Sequence, residues 1–449
     1  MPRLVVIGGN AAGMSAASRA ARTSSEWEVS VFDAGSDLSW GACGMPYVFS
    51  GEAAGFDSLF ALSPEKISER GIETRIHSRA LELSEGRKKV VFRDEKNGKT
   101  FEEAYDALLI ATGSVPVIPD IRDISGDNFF VLHALSDGTG IDAYIKKERP
   151  RSVCIIGGGY IACEMAETLS RCGMMVTIAT RSERLLGRLN KKFREKLALE
   201  LEDNGVRMFR GAEITAVNRD RGRVISLETT RGKVPADFFL CATGVRAATD
   251  FLKGGPIPLG KKGGIETDGM CRTGVSSIWA AGDCCCVRNI VTGKHSYAPL
   301  GTTANKMGRV AGFNITGGRE EFPGVLGTAI TRVFGLEIAL TGLGHREALE
   351  EGFDAEEAST LELTRPAYFR GAKETSVSIV CDRNGRIIGG QVIGGEGAKG
   401  RIDALAAVIT GGLTVRDAMH LDLAYAPPFS PARDPLLTCL YALEKKLAR

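Results

Sequence analysis

The chain has 449 residues, room for about three domains of ~150 residues each with sizeable cores. Hydrophobic residues at 43% and charged residues at 25% are the balance of an ordinary globular chain. A net charge of +2 argues against a general nucleic-acid or membrane-surface role, and no apolar run approaches the ~18 residues of a membrane span. Met1 leads almost directly into a strand, so no signal peptide and a cytoplasmic location are expected. The 11 cysteines are scattered, without a CxxC pair or a His/Cys cluster at zinc spacing, so no metal is expected and any disulfide chemistry runs through one protein sulfur.

The first elements are an apolar run, Leu4-Val5-Val6-Ile7, then Gly8-Gly9-Asn10-Ala11-Ala12-Gly13, then a small-residue helix expected from about Met14 to Arg22. In a strand, glycine turn and helix of this kind, backbone amides at the helix N-terminus face a pyrophosphate, and small side chains let the backbone approach it. Asn10 replaces the second glycine of G-x-G-x-x-G. The next strand, Val29-Ser30-Val31-Phe32, ends in Asp33, where an acid grips a ribose hydroxyl. A dinucleotide site is expected there.

Next comes Ser39-Trp40-Gly41-Ala42-Cys43-Gly44-Met45-Pro46-Tyr47, with one cysteine between two glycines and a proline. Burial in a tight turn is the commoner fate of a cysteine. A thiol entering a helix N-terminus beside a cofactor instead has its thiolate stabilised, with a pKa lowered to ~3.5 to 7.5. Cys43 is read as the redox centre on that ground.

Charged residues alternate from Arg87 to Glu103, readable as a small antiparallel excursion, and the buried strand before Ala111-Thr112-Gly113 follows. The opening pattern then repeats: Val153-Cys154-Ile155-Ile156 leads into Gly157-Gly158-Gly159-Tyr160-Ile161-Ala162, a second dinucleotide unit nested in the chain. Its second strand, Val176-Thr177-Ile178-Ala179, ends in Thr180-Arg181 where Asp33 stood in the first unit. Losing the acid and gaining Arg181, with Arg184 near it, favours a ribose 2′-phosphate. A helix from about Asn190 to Asn204 stops at Gly205. Phe238-Phe239-Leu240-Cys241 with Ala242-Thr243-Gly244 echoes the earlier strand, and Ala280-Ala281-Gly282-Asp283 delivers an aspartate at a glycine turn. The triplet Cys284-Cys285-Cys286 reads as small buried side chains after that turn.

From about Val325 the chain turns to alternating strands such as Ser376-Val377-Ser378-Ile379-Val380, with helices expected around Ile402 to Thr410 and Asp434 to Lys446. The last helix has Asp434 as N-cap, Pro435 at its first position and Leu436, Leu440, Leu443 and Leu447 on one stripe. Three prolines stiffen Tyr425-Ala426-Pro427-Pro428-Phe429-Ser430-Pro431. The leucine stripe and the Tyr425 segment both read as parts of a dimer interface. The fold class expected is α/β, with two nested Rossmann-like units, 1–118 with 253–324 and 119–252, and an α+β dimerisation domain, 325–449.

Ser39-x3-Cys43-Gly44-x-Pro46-Tyr47, Ala111-Thr112-Gly113-Ser114-x-Pro116, Gly157-Gly158-Gly159-Tyr160-Ile161, Ala280-Ala281-Gly282-Asp283, Pro299-Leu300-Gly301-Thr302-Thr303-Ala304-Asn305-Lys306 and Tyr425-Ala426-Pro427-Pro428-Phe429-Ser430 together resemble the coenzyme A disulfide reductases. These are single-cysteine members of the pyridine nucleotide-disulfide oxidoreductase family, which also holds persulfide reductases and water-forming NADH oxidases. The resemblance covers essentially the whole chain. It implies FAD in the first unit, NADPH or NADH in the second and a homodimer, and no rhodanese-like extension is expected after Arg449. Gly8, Gly9, Asn10, Ala11, Ala12, Gly13, Asp33 and Asp283 fall on FAD, with Ala111, Thr112, Gly113, Pro299 and Leu300 nearby. Gly157, Gly158, Gly159, Ile161, Ala162, Thr180 and Arg181 fall on the nicotinamide nucleotide, and Tyr160 shields the flavin face.

The resemblance puts Ser15, Arg19, Arg22, Ser39 and Asn305 at coenzyme A positions. Tyr368 and Tyr425 resemble tyrosines that reach the neighbouring subunit's active site and donate to a leaving sulfur. Ala42 and Arg433 stand where many relatives have asparagine and tryptophan, so the pantetheine contacts differ or the substrate is a persulfide rather than the coenzyme A disulfide. The implied activity is FAD-dependent reduction of such a disulfide or persulfide through Cys43. An NADH oxidase cycling Cys43 through a sulfenic acid and a flavoprotein redox sensor are the alternatives.

Overall fold

Each strand–turn–helix repeat builds its own parallel sheet in the computed structural model, which describes residues 1–122 and 124–448. The first sheet has five strands in the order Ile278–Ala280, Ala107–Ile110, Arg3–Ile7, Glu28–Phe32, Ile72–Arg75, all neighbours parallel. The second repeats the arrangement with Arg207–Arg210, Met175–Thr180, Ser152–Ile156, Phe238–Cys241 and Phe129–Val131, again parallel throughout. Uninterrupted apolar runs such as Leu108-Leu109-Ile110 are fully buried, as strands covered on both faces must be. The edge strand Ile278–Ala280 joins the first sheet only after the second is complete, which is how one unit nests in the other.

The alternating charged stretch forms an antiparallel three-stranded sheet, Ser78–Ser84, Lys89–Asp94 and Thr100–Ala104. The first helix runs Ala11–Thr23, starting three residues before the expected Met14, because the Asn10 carbonyl already accepts from Met14 N–H. The helix Lys191–Asp203 has Asn190 as N-cap, its side chain accepting from Phe193 N–H.

The C-terminal sheet is antiparallel, in the order Ala329–Val333, Leu336–Gly342, Ile387–Gly394, Glu374–Asp382, Ala355–Leu363. Helices Ala398–Thr410 and Pro435–Leu447 cover it. Asp434 caps the last helix, accepting from Leu436 N–H at 2.8 Å. The leucine stripe corrects an expectation: Leu436, Leu440 and Leu443 are buried against the sheet of their own chain, so they are core and not an interface between chains.

Two helices, Ala11–Thr23 and Gly301–Ile315, cross at close range. Gly308 and Gly312 lie directly on the Ala12 and Ala16 backbone, where a Cβ would collide with the carbonyl oxygens. This crossing brings Asn305 Nδ2 to 2.8 Å from Ser15 Oγ.

Candidate functional site

The first glycine turn is shaped by backbone that no side chain can share. Gly8 has φ +105°, a region that favours glycine, and a Cβ there would strike the Ala111 carbonyl; one on Gly13 would strike the Gly8 carbonyl. Gly9 N–H donates to Asp33 Oδ2 at 2.6 Å. Asn10, the departure from the glycine pattern, has a negative φ and its Oδ1 accepts from Trp40 N–H at 3.2 Å. The Gly9 carbonyl accepts from Ser39 N–H at 2.9 Å. The glycine turn and the cysteine segment are thus stitched together by two hydrogen bonds. Ala11 is exposed and Ala12 buried beside them.

Around this turn, Ala111 is buried against it, Thr112 Oγ1 donates to the Ala248 carbonyl at 2.8 Å, and Gly113 turns with φ +70°. Pro299 and Leu300 lead into the helix Gly301–Ile315, Leu300 being its N-cap. Ala281 N–H donates to the Ile110 carbonyl, which places Asp283 at the C-terminal end of the sheet. Burial alone pushes the Asp283 carboxyl up to about 6, and the buried Tyr297 hydroxyl has no hydrogen-bond partner. Buried polar groups need partners. The bare glycine backbone, Asp33 and these two groups fit a bound dinucleotide whose hydroxyls supply them.

The second turn repeats the geometry. Gly157 has φ +126° and a Cβ there would strike the Ala242 carbonyl, as Gly8 meets Ala111. Thr180 Oγ1 stands 3.3 Å from the Cβ position of Gly158, the place that Asp33 holds beside Gly9. Gly159 is the N-cap of the helix Tyr160–Arg171, Ile161 is exposed at its start, Ala162 is buried and Arg181 is exposed. Burial pushes the Tyr160 phenol up to about 12.

Cys43 lies in a turn of 3₁₀ helix, Ala42–Gly44, running into the five-residue helix Met45–Phe49. Trp40, Ala42, Phe49, Leu59 and Tyr160 pack in the same apolar cluster as Met45, Leu186, Val333 and Leu336, so the cysteine segment sits where the two parallel-sheet units and the C-terminal sheet meet. The described cysteines are all free, and Cys43 and Cys172 are the exposed ones. The thiol corrects the expected low pKa: desolvation first, then Glu164 and Asp283, push Cys43 up, and only its backbone hydrogen bond acts the other way. So short a helix offers little dipole, and the nearest charges are anionic.

Glu164 was not singled out from the sequence, although it stands four residues after Tyr160 and hence on the same helical face. Burial raises its carboxyl, and it accepts from Thr331 Oγ1 at 2.7 Å. Thr331 and its neighbour Arg332 belong to the C-terminal sheet, and no local pattern marks them.

Of the expected substrate residues, Ser15 and Asn305 are hydrogen-bonded to each other. The Arg19 guanidinium lies 4.7 Å over the Phe313 ring with its buried Nε unpartnered, and Arg22 is exposed in the last turn of the same helix. Ser39 is buried with φ +55°, and Ala42 is half-buried. Arg433 lies over the Tyr441 ring at 5.7 Å. Tyr368 and Tyr425 are exposed, and the Tyr425 hydroxyl raises the Tyr368 phenol. Among the described residues no hydrogen bond, ion pair or ring contact joins Tyr368, Tyr425 or Arg433 to Cys43.

No helix of the described residues is long and apolar enough to cross a membrane. Residues 2–308 match the family model of the pyridine nucleotide-disulphide oxidoreductases, and residues 328–436 match the dimerisation domain of the same family. The chain is 38% identical to the NAD(P)H coenzyme A polysulfide/persulfide reductase of Pyrococcus horikoshii, covering 98% of each chain. Among solved structures it is similar to reduced CoADR-RHD of Bacillus anthracis, with a TM-score of 0.96, 28% identity and coverage of 100% of this chain and 81% of that one. It is also similar to an NAD-dependent persulfide reductase from A. fulgidus, with a TM-score of 0.95, 32% identity and coverage of 99% and 83%. With two glycine turns built to hold FAD and NAD(P)H and an exposed cysteine between them, the chain belongs to the pyridine nucleotide-disulphide oxidoreductases.

Proposed function

We propose that the protein reduces coenzyme A disulfide, coenzyme A persulfide or a related low-molecular-weight disulfide or polysulfide with NAD(P)H, through Cys43 alone. The observation that carries this reading is the exposed Cys43 thiol, hydrogen-bonded through its segment to the first glycine turn, with every described cysteine free and none in a disulfide. The Gly8 to Gly13 turn with Asp33 and Asp283 would hold FAD, which would supply two-electron transfer between NAD(P)H and the cysteine sulfur. The Cys43 thiolate attacks one sulfur of the acceptor; the acceptor's S–S bond breaks, one half leaves and takes a proton, and the other half stays on Cys43 as a mixed disulfide. Two further electrons and a proton release that half as a thiol and return the thiolate.

The names of the relatives support the acceptor class, and Ser15, Arg19, Arg22, Ser39, Ala42 and Asn305 are proposed to hold the coenzyme A portion. We further propose a cytoplasmic homodimer, divided into units 1–118 with 253–324, 119–252 and 325–449, in which Tyr425 and Tyr368 serve the site of the neighbouring copy. The match to a dimerisation domain supports this, as do the exposures of Tyr368 at 76%, Tyr425 at 50% and Phe429 at 80%.

The test is steady-state NAD(P)H turnover on coenzyme A disulfide, coenzyme A persulfide, polysulfide and oxygen. Sulfur acceptors are expected to be faster than oxygen, with hydrogen peroxide the main product under air. Ala11 carries no donor to stabilise a sulfenic acid on Cys43, which the route to water needs. Water as the principal product with oxygen the fastest acceptor would replace this reading by the oxidase, and failure of steady turnover on all four would leave the sensor.

Thr180 and Arg181 favour NADPH. A hydroxyl replaces the acid that would repel a 2′-phosphate, and an exposed cation follows it. NADPH should be used at least as well as NADH, and Arg181→Ala should lower kcat/KM for NADPH about fivefold to tenfold while leaving NADH unchanged. A strong NADH preference that Arg181→Ala does not alter would show that the arginine is only a solvated charge.

A further inference from the structure

The short helix Met45–Phe49, which directly follows the cysteine turn, is held from outside its own unit. Two of its carbonyls accept from the C-terminal end of the helix Tyr160–Arg171 and its cap: Thr168 Oγ1 donates to the Pro46 carbonyl at 3.4 Å and Cys172 Sγ to the Phe49 carbonyl at 3.4 Å. The residues just beyond it are held by the C-terminal sheet. Arg332 Nη2 donates to both oxygens of Glu52, at 2.6 and 2.8 Å, and the guanidinium lies 5.9 Å over the Tyr47 ring. Arg171 completes the cluster, 2.7 Å from Glu167 and 3.5 Å from Glu52. Glu167, 5% exposed, also accepts from Phe334 N–H at 2.7 Å. The Oε1 that pairs with Arg171 also stands 3.7 Å from the buried Arg332 Nε, which has no hydrogen-bond partner. A five-residue helix has no stability of its own, so these contacts hold in place the helix onto which the Cys43 turn runs.

We propose that Arg332 is a positioning residue for Cys43: by gripping Glu52 and covering Tyr47 it fixes the short helix that follows the cysteine turn against the helix Tyr160–Arg171, and so links the C-terminal sheet to the reactivity of the thiol. The proposal rests on the reading of Cys43 as the redox centre, whose own failure would appear separately, as activity surviving in Cys43→Ser. The charged and titratable groups that face the thiol's surroundings are Tyr47 and Glu52 from its own segment, Glu164, Glu167 and Arg171 from the packed helix, Arg332 from the sheet, and Asp283 beyond the turn.

The test compares Arg332→Gln, Glu52→Gln and the double variant as FAD-loaded, NAD(P)H-reduced enzymes. It follows the pH profile of Cys43 alkylation, with the Cys43 peptide resolved from that of exposed Cys172 by mass spectrometry, together with kcat and KM. Each single variant is expected to lose about tenfold to a hundredfold in kcat with KM for NAD(P)H within about twofold. Both alkylation midpoints should rise, because the Cys43 backbone hydrogen bond, the group that favours the thiolate, is no longer held in place. The double variant should be no worse than the weaker single. A through-space charge effect predicts instead that the two midpoints move in opposite directions, since one variant removes a cation and the other an anion, and that the double variant recovers. That pattern, losses that multiply, or a Glu52→Gln enzyme indistinguishable from the parent would overturn the proposal.

Discussion

Cys43→Ser is expected to retain FAD and to lose disulfide and persulfide reduction by at least about a hundredfold. The groups proposed to hold the flavin are ones that the substitution leaves alone: the Gly8 to Gly13 backbone, Asp33 and Asp283. Sulfur exchange needs a thiolate, and serine's alkoxide is inaccessible at neutral pH. Cys172 cannot substitute, because its sulfur points at the Phe49 carbonyl on the far end of the short helix, and the remaining described cysteines are buried. The measurement is flavin absorbance per chain together with NAD(P)H turnover on each sulfur acceptor. More than a few per cent of parental turnover would remove Cys43 from the reaction. The raised thiol sharpens the expectation. Desolvation, Glu164 and Asp283 oppose ionisation of the group at this position and only a backbone hydrogen bond favours it, so the site does not make up for serine's weaker acidity.

Arg401→Ala is expected to cost roughly 3–5 kcal/mol of stability, the usual loss when one member of a buried ion pair is removed and the other keeps its charge. Arg401 is 7% exposed and Asp434 14%, with Nη2 to Oδ2 at 3.0 Å. Asp434 also caps the last helix and accepts from Ser430 Oγ at 2.7 Å. One arginine thus holds together the helix Ala398–Thr410, the last helix and the proline-rich segment that carries Tyr425. Chemical unfolding should show the loss as a lower midpoint. Asp434→Asn, which keeps a cap acceptor, should cost less than Asp434→Ala. Disulfide turnover should fall along with stability, since the Tyr425 segment loses its anchor. An unchanged unfolding midpoint in Arg401→Ala would show that the pair contributes nothing net, as a desolvated pair can.

The two dinucleotide units and their nesting were legible because their signals are local. A run of apolar residues, glycines at fixed offsets and a small-residue helix occupy about 20 consecutive positions, and Gly8 and Gly157 are required by a positive φ and a carbonyl pressed against them. The cysteine was legible for the same reason, as one residue in a short distinctive segment. Asn10 departs from the glycine pattern, and the hydrogen bond that it accepts from Trp40 N–H exists only once both segments are in place. The leucine stripe was read correctly as a helix face and wrongly as an interface, because periodicity reports that a face is apolar and not what covers it.

The sequence alone determined the fold class, both glycine turns and the single candidate sulfur, since each depends on backbone conformation and residue type within one stretch of chain. Only the tertiary structure decided the environment of that sulfur. Glu164, Thr331, Arg332 and Glu52 come from three separated parts of the chain, and desolvation, followed by Glu164 and Asp283, raises the Cys43 pKa that a helix N-terminus would lower. Electrostatic energy depends on distance through space and on desolvation, and neither quantity is written in the spacing of residues along a chain.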